Sequence, residues 1–345
     1  MRKYCIFLFV FFILSILNYG NFELKFVEKW DHKDKTLGHI FFSIIDKDDH
    51  IVGTFYQYGN KIINKEKIIS IIPRGKGPGD LTNMMALFKY KDGLAFIERP
   101  DKMKVFVKKN NNYIWKKTKW FKRGLLLHIV KDGIFYDNKF FFAGFETISL
   151  KKNIENAAFL KVYSQDGRPL KSLIKKTYKK IHQQYLMNRY VVPYKNKVIL
   201  VNENELVLYI VSINNLNNIN KINLKIPKFY KNMPLNFYIW RKYNKPTENF
   251  LSDVETWAME YSSISKVLVK DNYIVIQIRT CNEKLKKFAL LFYDLRSFKL
   301  DGILYFDDYL MGEKDDKFYF YANGDPGRDE DAEECIIKIY KYKSE

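Results

Sequence analysis

Short apolar segments alternate along the chain with small clusters of polar turn residues, and one pattern of this kind recurs six times. Each copy is an apolar strand, then Lys-Asp/Asn-Gly/Asn/Asp, then another apolar strand. Asp, Asn and Gly tolerate positive φ and hydrogen-bond to their own backbone, as a hairpin of two to four residues requires. The copies are SIIDKDDHIVGTF (43 to 55), ALFKYKDGLAFIE (86 to 98), LHIVKDGIFYDNKFFF (127 to 142, with Lys-Asp-Gly at 131 to 133), RYVVPYKNKVILV (189 to 201), VLVKDNYIVIQI (267 to 278) and YLMGEKDDKFYFY (309 to 321).

A third strand, rich in β-branched and aromatic residues, follows every hairpin except the first. These strands are KVFV (104 to 107), FLKVY (159 to 163), LVLYIV (206 to 211), ALLFY (289 to 293) and IIKIY (336 to 340). Most turn again into a last strand, at NNN (110 to 112), QDGR (165 to 168), NNLNN (214 to 218) and LRS (295 to 297). The first unit fits through KIIN and KIISII (61 to 72). Each unit is a four-stranded antiparallel meander of roughly 40 residues, the size of a propeller blade.

The two ends of the chain complete the count. The sixth unit stops after three strands, and an unassigned strand, ELKFVEKW (23 to 30), precedes the first hairpin. Adding that strand to the last blade closes the ring and removes an exposed edge. The predicted fold is therefore an all-β, six-bladed β-propeller of four-stranded antiparallel blades, a single domain over 21–345. The long interval at 228–262 is a partly helical insertion, where Thr247 caps an apolar stripe formed by Phe250, Leu251, Val254, Trp257 and Ala258.

The first residues resemble a secretory signal peptide. Met-Arg-Lys precedes a purely apolar core from Tyr4 to Leu17, which is shorter than the roughly 20 residues of a membrane span. Gly20 suits the last position before cleavage, but Asn18 does not suit the position two before it. Residues 1–20 are thus predicted to be a leader, and an uncleaved anchor stays open as the alternative. The expected location is exported: periplasmic, cell-surface or extracellular.

With the repeat in place, the loop RGKGPGDL (74 to 81) becomes informative. It follows a strand and resembles the G-x-G-P-G-E-F signature of exported TolB-like six-bladed β-propellers common in Bacteroidetes. Arg74, the three glycines at 75, 77 and 79, and Pro78 match, whereas Asp80 replaces Glu and Leu81 replaces Phe. The resemblance implies the fold more strongly than an activity. The loop itself has neither of the spacings of a phosphate-binding glycine loop.

Longer loops predict which face of the propeller carries a site. The turns between first and second strands are short and lie on one face. The blade-to-blade connections and the second-to-third-strand turns lie on the other, and they are long at 31 to 39, 73 to 83, 175 to 188, 228 to 262 and 323 to 334. Binding residues concentrate on elaborated loops over a rigid scaffold. The candidate ligand-binding residues on this loop-rich face are Arg74, Lys76, Asp80, His39 and His182, with a tight turn as the alternative role of the glycine loop.

Metal chemistry has little support. Asp325, Asp329 and Asp331 supply oxygen ligands for calcium on a short loop, but their spacing is not that of an EF-hand, and a solvated acidic hairpin is the alternative. The five histidines show no HExxH, HxH or Cys/His ligand spacing. No cofactor is therefore predicted, apart from a weak calcium hypothesis.

The net charge and the number of cysteines exclude few classes of binding partner. The net charge of +20 would attract phosphate, acidic glycan or anionic lipid, so peripheral membrane contact through the basic surface is one expectation. Export argues against nucleic acid. Beyond the leader, only Cys281 and Cys335 remain, and both a disulfide and two free thiols stay open.

Two classes of function follow. The first is a non-catalytic binding or scaffold propeller that presents its loop-rich face to a protein, peptide or glycan. The second is a hydrolase or lyase with a site at the channel mouth, metal-assisted through Asp80, Asp325 or Asp329. Acidic residues from several blades meeting in the channel would favour the second.

Overall fold

The structure is a computed structural model, and it describes residues 22–32, 37, 40–55, 59–82, 84–99, 101–110, 112–122, 129–150, 153–178, 189–202, 205–233, 257–322 and 335–344. Within these ranges almost every ordered segment is a strand, and the α-helical residues form a single turn at 257–259. No helix of this part of the chain has both the length and the apolar character that crossing a membrane requires.

Twenty-four strands form six sheets of four antiparallel strands each. Blade 1 contains β2 (Ile40–Ile45), β3 (Ile51–Phe55), β4 (Gly59–Ile63) and β5 (Ile68–Ser70). Blade 2 contains β6 (Ala86–Tyr90), β7 (Gly93–Arg99), β8 (Lys102–Lys109) and β9 (Asn112–Trp120). Blade 3 contains β10 (Ile129–Tyr136), β11 (Lys139–Leu150), β12 (Asn153–Ser164) and β13 (Pro169–Tyr178). Blade 4 contains β14 (Arg189–Tyr194), β15 (Lys197–Asn202), β16 (Glu205–Ser212) and β17 (Ile219–Asn223). Blade 5 contains β18 (Ser263–Lys270), β19 (Tyr273–Arg279), β20 (Phe288–Asp294) and β21 (Leu300–Phe306). Blade 6 contains β22 (Tyr309–Lys314), β23 (Lys317–Ala322), β24 (Cys335–Ser344) and the N-terminal β1 (Phe22–His32).

The ring closes as the sequence predicts. β1 pairs antiparallel with β24 from Phe22 opposite Ser344 to His32 opposite Cys335, with one bulge at Val27. Trp30 on β1 is buried, and its ring lies 6.0 Å from that of Tyr319 in the same blade. The strand from the start of the domain therefore completes the last blade, which confirms the six-bladed propeller.

Asp and Asn side chains support the short hairpins. Asp49, Asp271 and Asp316 all have positive φ, the conformation that Asp tolerates better than most residues. The third hairpin differs from the prediction: its turn lies at Asp137 and Asn138, both with positive φ. The triplet at 131 to 133 lies inside β10, where a bulge interrupts the register.

The hydrophobic core consists of six clusters, one at each interface between neighbouring blades. Strands such as β20 are buried along their whole length because both faces of the sheet meet another blade. Representative pairs, in ring order from the interface of blades 1 and 2, are Phe96 with Val52, Phe88 with Phe140, Val191 with Phe141, Ile274 with Ile199, Phe320 with Val275, and Ile337 with Ile51. Most aromatic side chains are used here, as an inter-blade core requires.

The first strand of each blade is the innermost. These strands contact one another in the order β2, β6, β10, β14, β18, β22 and back to β2, so they surround the channel. Each begins at a blade-to-blade connection and ends at a short hairpin, which places the loop-rich face at the start of all six.

The structure describes the two ends of the insertion, residues 228–233 and 257–262, and the Ser262 N–H donates to the Lys231 carbonyl at 3.0 Å between them. Trp257 is buried and starts the single helical turn, and its ring lies 5.2 Å from that of Tyr261. The predicted cap at Thr247 and the apolar stripe before Trp257 lie outside the described residues, as does the leader.

The two cysteines of the domain are free thiols. Cys281 is half-buried in blade 5, and its Sγ lies 3.6 Å from the Ser262 hydroxyl. Cys335 is fully buried in blade 6. Burial, with the charge of Asp31 as a second cause, raises the pKa of the Cys335 thiol to about 12. Of the two states that the sequence left open, the structure has the unpaired one.

Candidate functional site

The glycine loop joins the outer strand of blade 1 to the inner strand of blade 2. Arg74 and Leu81 form a backbone bridge at its base, and the Leu81 N–H donates to the Pro73 carbonyl at 3.0 Å. The Asp80 N–H closes the tip by donating to the Gly77 carbonyl at 3.1 Å. The loop is thus a compact turn with its own hydrogen bonds.

The carboxylate of Asp80 fills the space that the glycines leave. It accepts the Gly77 N–H at 3.0 Å. A Cβ at position 77 would lie 2.9 Å from this carboxylate, and one at position 75 would overlap it. The glycines are therefore required because a side-chain oxygen approaches their backbone closely.

A buried ion network supports the loop from below. Lys104 is almost fully buried on β8, and its ammonium donates to the Gly77 carbonyl at 3.3 Å and to the Asp80 carbonyl. The same ammonium lies 3.6 Å from Glu98, which is also buried. Lys104 thus links two carbonyls of the loop to the buried carboxylate of Glu98.

Glu98 is the anion of this network. It accepts hydrogen bonds from the Thr82 N–H at 2.9 Å and the Thr82 hydroxyl at 2.6 Å, and it pairs with Lys102 at 2.6 Å. Burial alone would raise the pKa of this carboxyl, but the hydrogen bonds from Lys102 and Thr82, with the charge of Lys104, lower it to about 2. Glu98 is therefore a permanently ionised support for the loop, unsuited to proton transfer near neutral pH.

The structure places only some of the predicted ligand-binding residues. Arg74 and Lys76 are exposed on the glycine loop, while Asp80 is half-buried within it. His39 and His182 lie outside the described residues, as do the calcium candidates Asp325, Asp329 and Asp331. Among the described residues, no three His, Cys, Asp or Glu side chains group as metal ligands would. A ligand-binding role for all eight residues stays a prediction.

Side chains from three alternate blades meet in the channel. Lys266, on β18 of blade 5, reaches past blade 6 and donates to the Ser43 carbonyl of blade 1 at 3.0 Å. Asp132, on β10 of blade 3, accepts the Val191 N–H of blade 4 and the Gly133 N–H, both at 2.8 Å. Bulges in β2, β10 and β18 lie next to these residues.

Burial in the channel shifts the pKa values of Asp132 and Lys266. Burial raises the pKa of Asp132, and the hydrogen bonds from Val191 and Gly133, with the charge of Lys266, oppose this rise only in part. Burial lowers the pKa of Lys266, and the charge of Asp132 opposes that fall. Asp132 and Lys266 thus form one carboxylate–ammonium pair in a poorly solvated space.

Much of the polar bonding in the channel region satisfies strand edges. The inner edge of a first strand has no neighbouring strand, so its backbone groups need other partners. The Ser43 hydroxyl donates to the Met311 carbonyl at 2.7 Å, and the Tyr190 hydroxyl donates to the Ile264 carbonyl at 2.8 Å. These side-chain hydrogen bonds are thus explained by the need to pair backbone groups at the inner strand edges.

A second polar cluster joins the first hairpin of blade 1 to blade 2 on the opposite face. The Lys108 ammonium pairs with Asp46 at 2.6 Å and with Asp48, and lies 3.2 Å from Nδ1 of His50. The Tyr113 hydroxyl donates to Asp46 at 3.1 Å. A hydrogen bond from Lys108 is the first cause that lowers the pKa of Asp48, while burial and then Asp46 raise that of Tyr113. This cluster links two blades through a lysine.

Sequence patterns missed the supporting residues of both regions. Glu98, Lys104 and Lys266 stand in ordinary strand segments, and no motif marks them. The one available signal was a charged residue at a position where the strand pattern predicts an apolar one, as with Lys104 in KMKVFV.

Comparison with known proteins identifies the fold. No protein-family model matches the chain, and no curated protein matches its sequence. A member of the DUF4221 family from Bacteroides vulgatus ATCC 8482 is similar in structure, with a TM-score of 0.59 and 11% identity over 95% of this chain and 100% of that one. A protein of Bacteroides fragilis NCTC 9343, whose description proposes that it is exported, has a TM-score of 0.56 and 13% identity over 94% and 96%. At these identities the likeness shows a shared propeller fold alone.

Proposed function

We propose that the chain is an exported, non-catalytic binding or scaffold propeller of the TolB-like kind, which presents its loop-rich face to a protein, peptide or glycan. One observation carries the proposal. The six channel strands hold two carboxylates, Asp132 and Glu313, at different depths. Hydrolysis by paired acid and base groups needs two carboxyl groups that converge on one bond.

Each of these carboxylates also lies close to lysine charge. Asp132 interacts with Lys266, as described above. Burial raises the pKa of Glu313, and the charges of Lys270 and Lys89 oppose that rise. At the loop-rich mouth, Asp308 is buried and pairs with Lys338 at 2.9 Å. These acids are held in place by cations and backbone groups, which favours a scaffold over a catalyst.

Export is part of the proposal. It is supported by the leader pattern at 1–20 and by the description of the similar Bacteroides fragilis protein. N-terminal sequencing of the mature protein and cell fractionation test it, and they separate a free protein from one held by an uncleaved anchor. Calcium at Asp325, Asp329 and Asp331 is a weaker expectation, which isothermal titration with calcium alone would test.

The binding proposal is tested on peptide and glycan arrays with the wild-type protein and the double variant Arg74→Glu/Lys76→Glu. The matched control is Lys195→Glu/Lys197→Glu, a pair on a short hairpin of the opposite face. We expect array signals that fall in the loop variant and persist in the control. Cleavage of array members by the wild-type protein would instead support the hydrolase or lyase, and binding unaffected by the loop variant would contradict the assignment to this face.

A further inference from the structure

Exposed apolar side chains concentrate on one strand. Eight large hydrophobic residues are exposed in the described part of the chain, and three of them, Ile114, Trp115 and Trp120, lie on β9. β9 is the last strand of its sheet and contacts no strand on its outer side among the described residues. Within the described residues, the outer edge of blade 2 is therefore apolar and has no strand partner; at its end the turn at 165–168 of blade 3 approaches it, where a Cβ at Gly167 would lie 3.0 Å from the Trp120 carbonyl oxygen.

A bulge sets the two tryptophans on one side of this edge. Trp120 lies opposite Lys102 and Trp115 opposite Phe106, and these two β8 residues share one face because they are four positions apart. Lys116 is the extra residue of the bulge between Val105 and Phe106. Without the bulge, residues five apart would point to opposite faces. The bulge thus produces a row of two indole rings.

The other side of the same edge is basic. From residue 112 to residue 122, along β9 and directly after it, the chain has four lysines and no acidic residue. Lys117 and Lys119 lie on the face opposite to the tryptophans, and Lys116 stands at the bulge between them. Burial, then the neighbouring charge of Lys117, lowers the pKa of Lys119, and the charge of Asp166 in the blade 3 turn opposes this fall. Lys116 and Lys117 are exposed and form no ion pair with a described residue.

Both tryptophans are held in position by neighbours. Trp115 packs against the glycine loop, where a Cβ at position 79 would lie 3.3 Å from the Trp115 Cβ. The guanidinium of Arg99 lies 5.5 Å from the centre of the Trp120 ring, and the Lys102 ammonium lies 5.6 Å from it. Cations at this distance attract the ring face and steady it.

We propose that the open edge of β9 binds a linear acidic polysaccharide, whose sugar rings stack on Trp115 and Trp120 while its carboxylate or sulfate groups pair with Lys116, Lys117 and Lys119. The nine residues of β9 form a track of roughly 30 Å, which suits a chain better than a small molecule. The open backbone edge offers donors and acceptors for sugar hydroxyls. The site goes beyond the proposed function, because it lies along an outer strand edge and touches the loop-rich face only where Trp115 packs against the glycine loop.

The geometry favours a polysaccharide over a bilayer. Membrane contact needs apolar side chains that project together, whereas Ile114 lies on the face opposite to Trp115 and Trp120. Lipid vesicles and nucleic acid are therefore outcomes that would contradict the assignment.

The test measures affinity of the full-length protein for polygalacturonate by affinity electrophoresis and calorimetry, with neutral dextran as the blank. Lys116→Gln/Lys117→Gln removes two exposed charges, and Lys221→Gln/Lys225→Gln, on and after the outer strand of blade 4, is the matched control. Trp120→Ala is compared with Phe26→Ala, because both side chains are 53% exposed. We expect each blade 2 variant to bind at least about fivefold more weakly, the factor for one lost stacking contact, and each control to bind as the wild type does.

Three results would overturn the inference. The first is no binding of polygalacturonate by the wild-type protein, and the second is binding that the blade 2 variants do not weaken; the loop-rich proposal survives both. The third is a loss of binding to phosphatidylserine vesicles or to an oligothymidylate, in the blade 2 variants, that is larger than their loss of polygalacturonate binding. Far-UV circular dichroism and thermal midpoints equal to wild type confirm that the exposed substitutions leave the fold intact.

Discussion

Replacing Glu98 with Gln should destabilise the protein strongly at neutral pH and only weakly in acid. The buried carboxylate accepts two hydrogen bonds from Thr82 and pairs with Lys102 at 2.6 Å. A Gln amide keeps one acceptor oxygen but turns its N–H₂ group toward ammonium groups. The variant also leaves the buried Lys104 without its anion. Breaking a buried pair in this way is costly because one charge stays uncompensated.

The magnitude follows from the pKa. The pKa of Glu98 is lowered from 4.5 to about 2 in the folded protein. That difference corresponds to roughly 3 kcal/mol of folding free energy. Because the folded-state pKa is depressed, the stabilisation is present above the unfolded value and is lost as the pH falls through the folded value. The gap between wild type and variant should therefore narrow from about pH 4.5 down to about pH 2.

Urea unfolding followed by tryptophan fluorescence, repeated from about pH 7 to about pH 3, measures this gap. The control is Glu28→Gln, which removes an exposed pair with Lys65 and should cost less than about 1 kcal/mol. A loss for Glu98→Gln that is similar to the control, or one that does not change with pH, would refute the proposed role of the buried carboxylate.

Three further predictions concern the loop, the thiols and the ring closure. Gly75→Ala should lower the free energy of unfolding by about 1 kcal/mol, because it displaces the Asp80 carboxylate from the Gly77 N–H. Adding Asp80→Ala should lower it little further, since both changes remove the same hydrogen bond. A double-mutant cycle by denaturation checks this, and additive losses would contradict it. Native alkylation mapped by mass spectrometry should label Cys281 and spare Cys335, and dithiothreitol should leave the thermal midpoint unchanged; a midpoint lowered by the reductant would indicate a disulfide. Trp30→Ala should cost about 3–5 kcal/mol in urea unfolding, against about 0.5 for exposed Trp120→Ala, and equal losses would argue against the observed packing of β1.

The blade pattern was predictable because local chemistry specifies it. Hairpins such as that at Asp315 and Asp316 combine apolar strands with turn residues that tolerate positive φ, and these interactions lie within a few residues of one another. The third hairpin shows the limit of such reasoning, since two turn signals lie six residues apart. Gly133 is required for a different reason, because a Cβ there would lie 2.8 Å from the Phe142 ring.

The polar interior was not predictable from sequence in the same way. Ser43, Asp132 and Lys266 come from blades 1, 3 and 5, and their meeting depends on bulges that change the register of each inner strand. A single shifted residue would turn each side chain to the other face of its strand. Sequence spacing contains no direct record of that register, so the network becomes visible only once the ring is assembled.

Open strand edges connect these features. In every blade the inner edge faces the channel and the outer edge faces solvent, and both have backbone groups without a strand partner. At the inner edges, side chains of other blades bind the free backbone groups: the Ser43 hydroxyl donates to the Met311 carbonyl, and Asp132 accepts the Val191 N–H. These polar side chains of the channel therefore have a structural role. No described strand pairs with an outer edge, and that of β9 combines exposed indoles with Lys116 and Lys117, which form no ion pair with a described residue. The two binding surfaces that we propose, on the loops and on an outer edge, meet in blade 2, where Trp115 packs against the glycine loop.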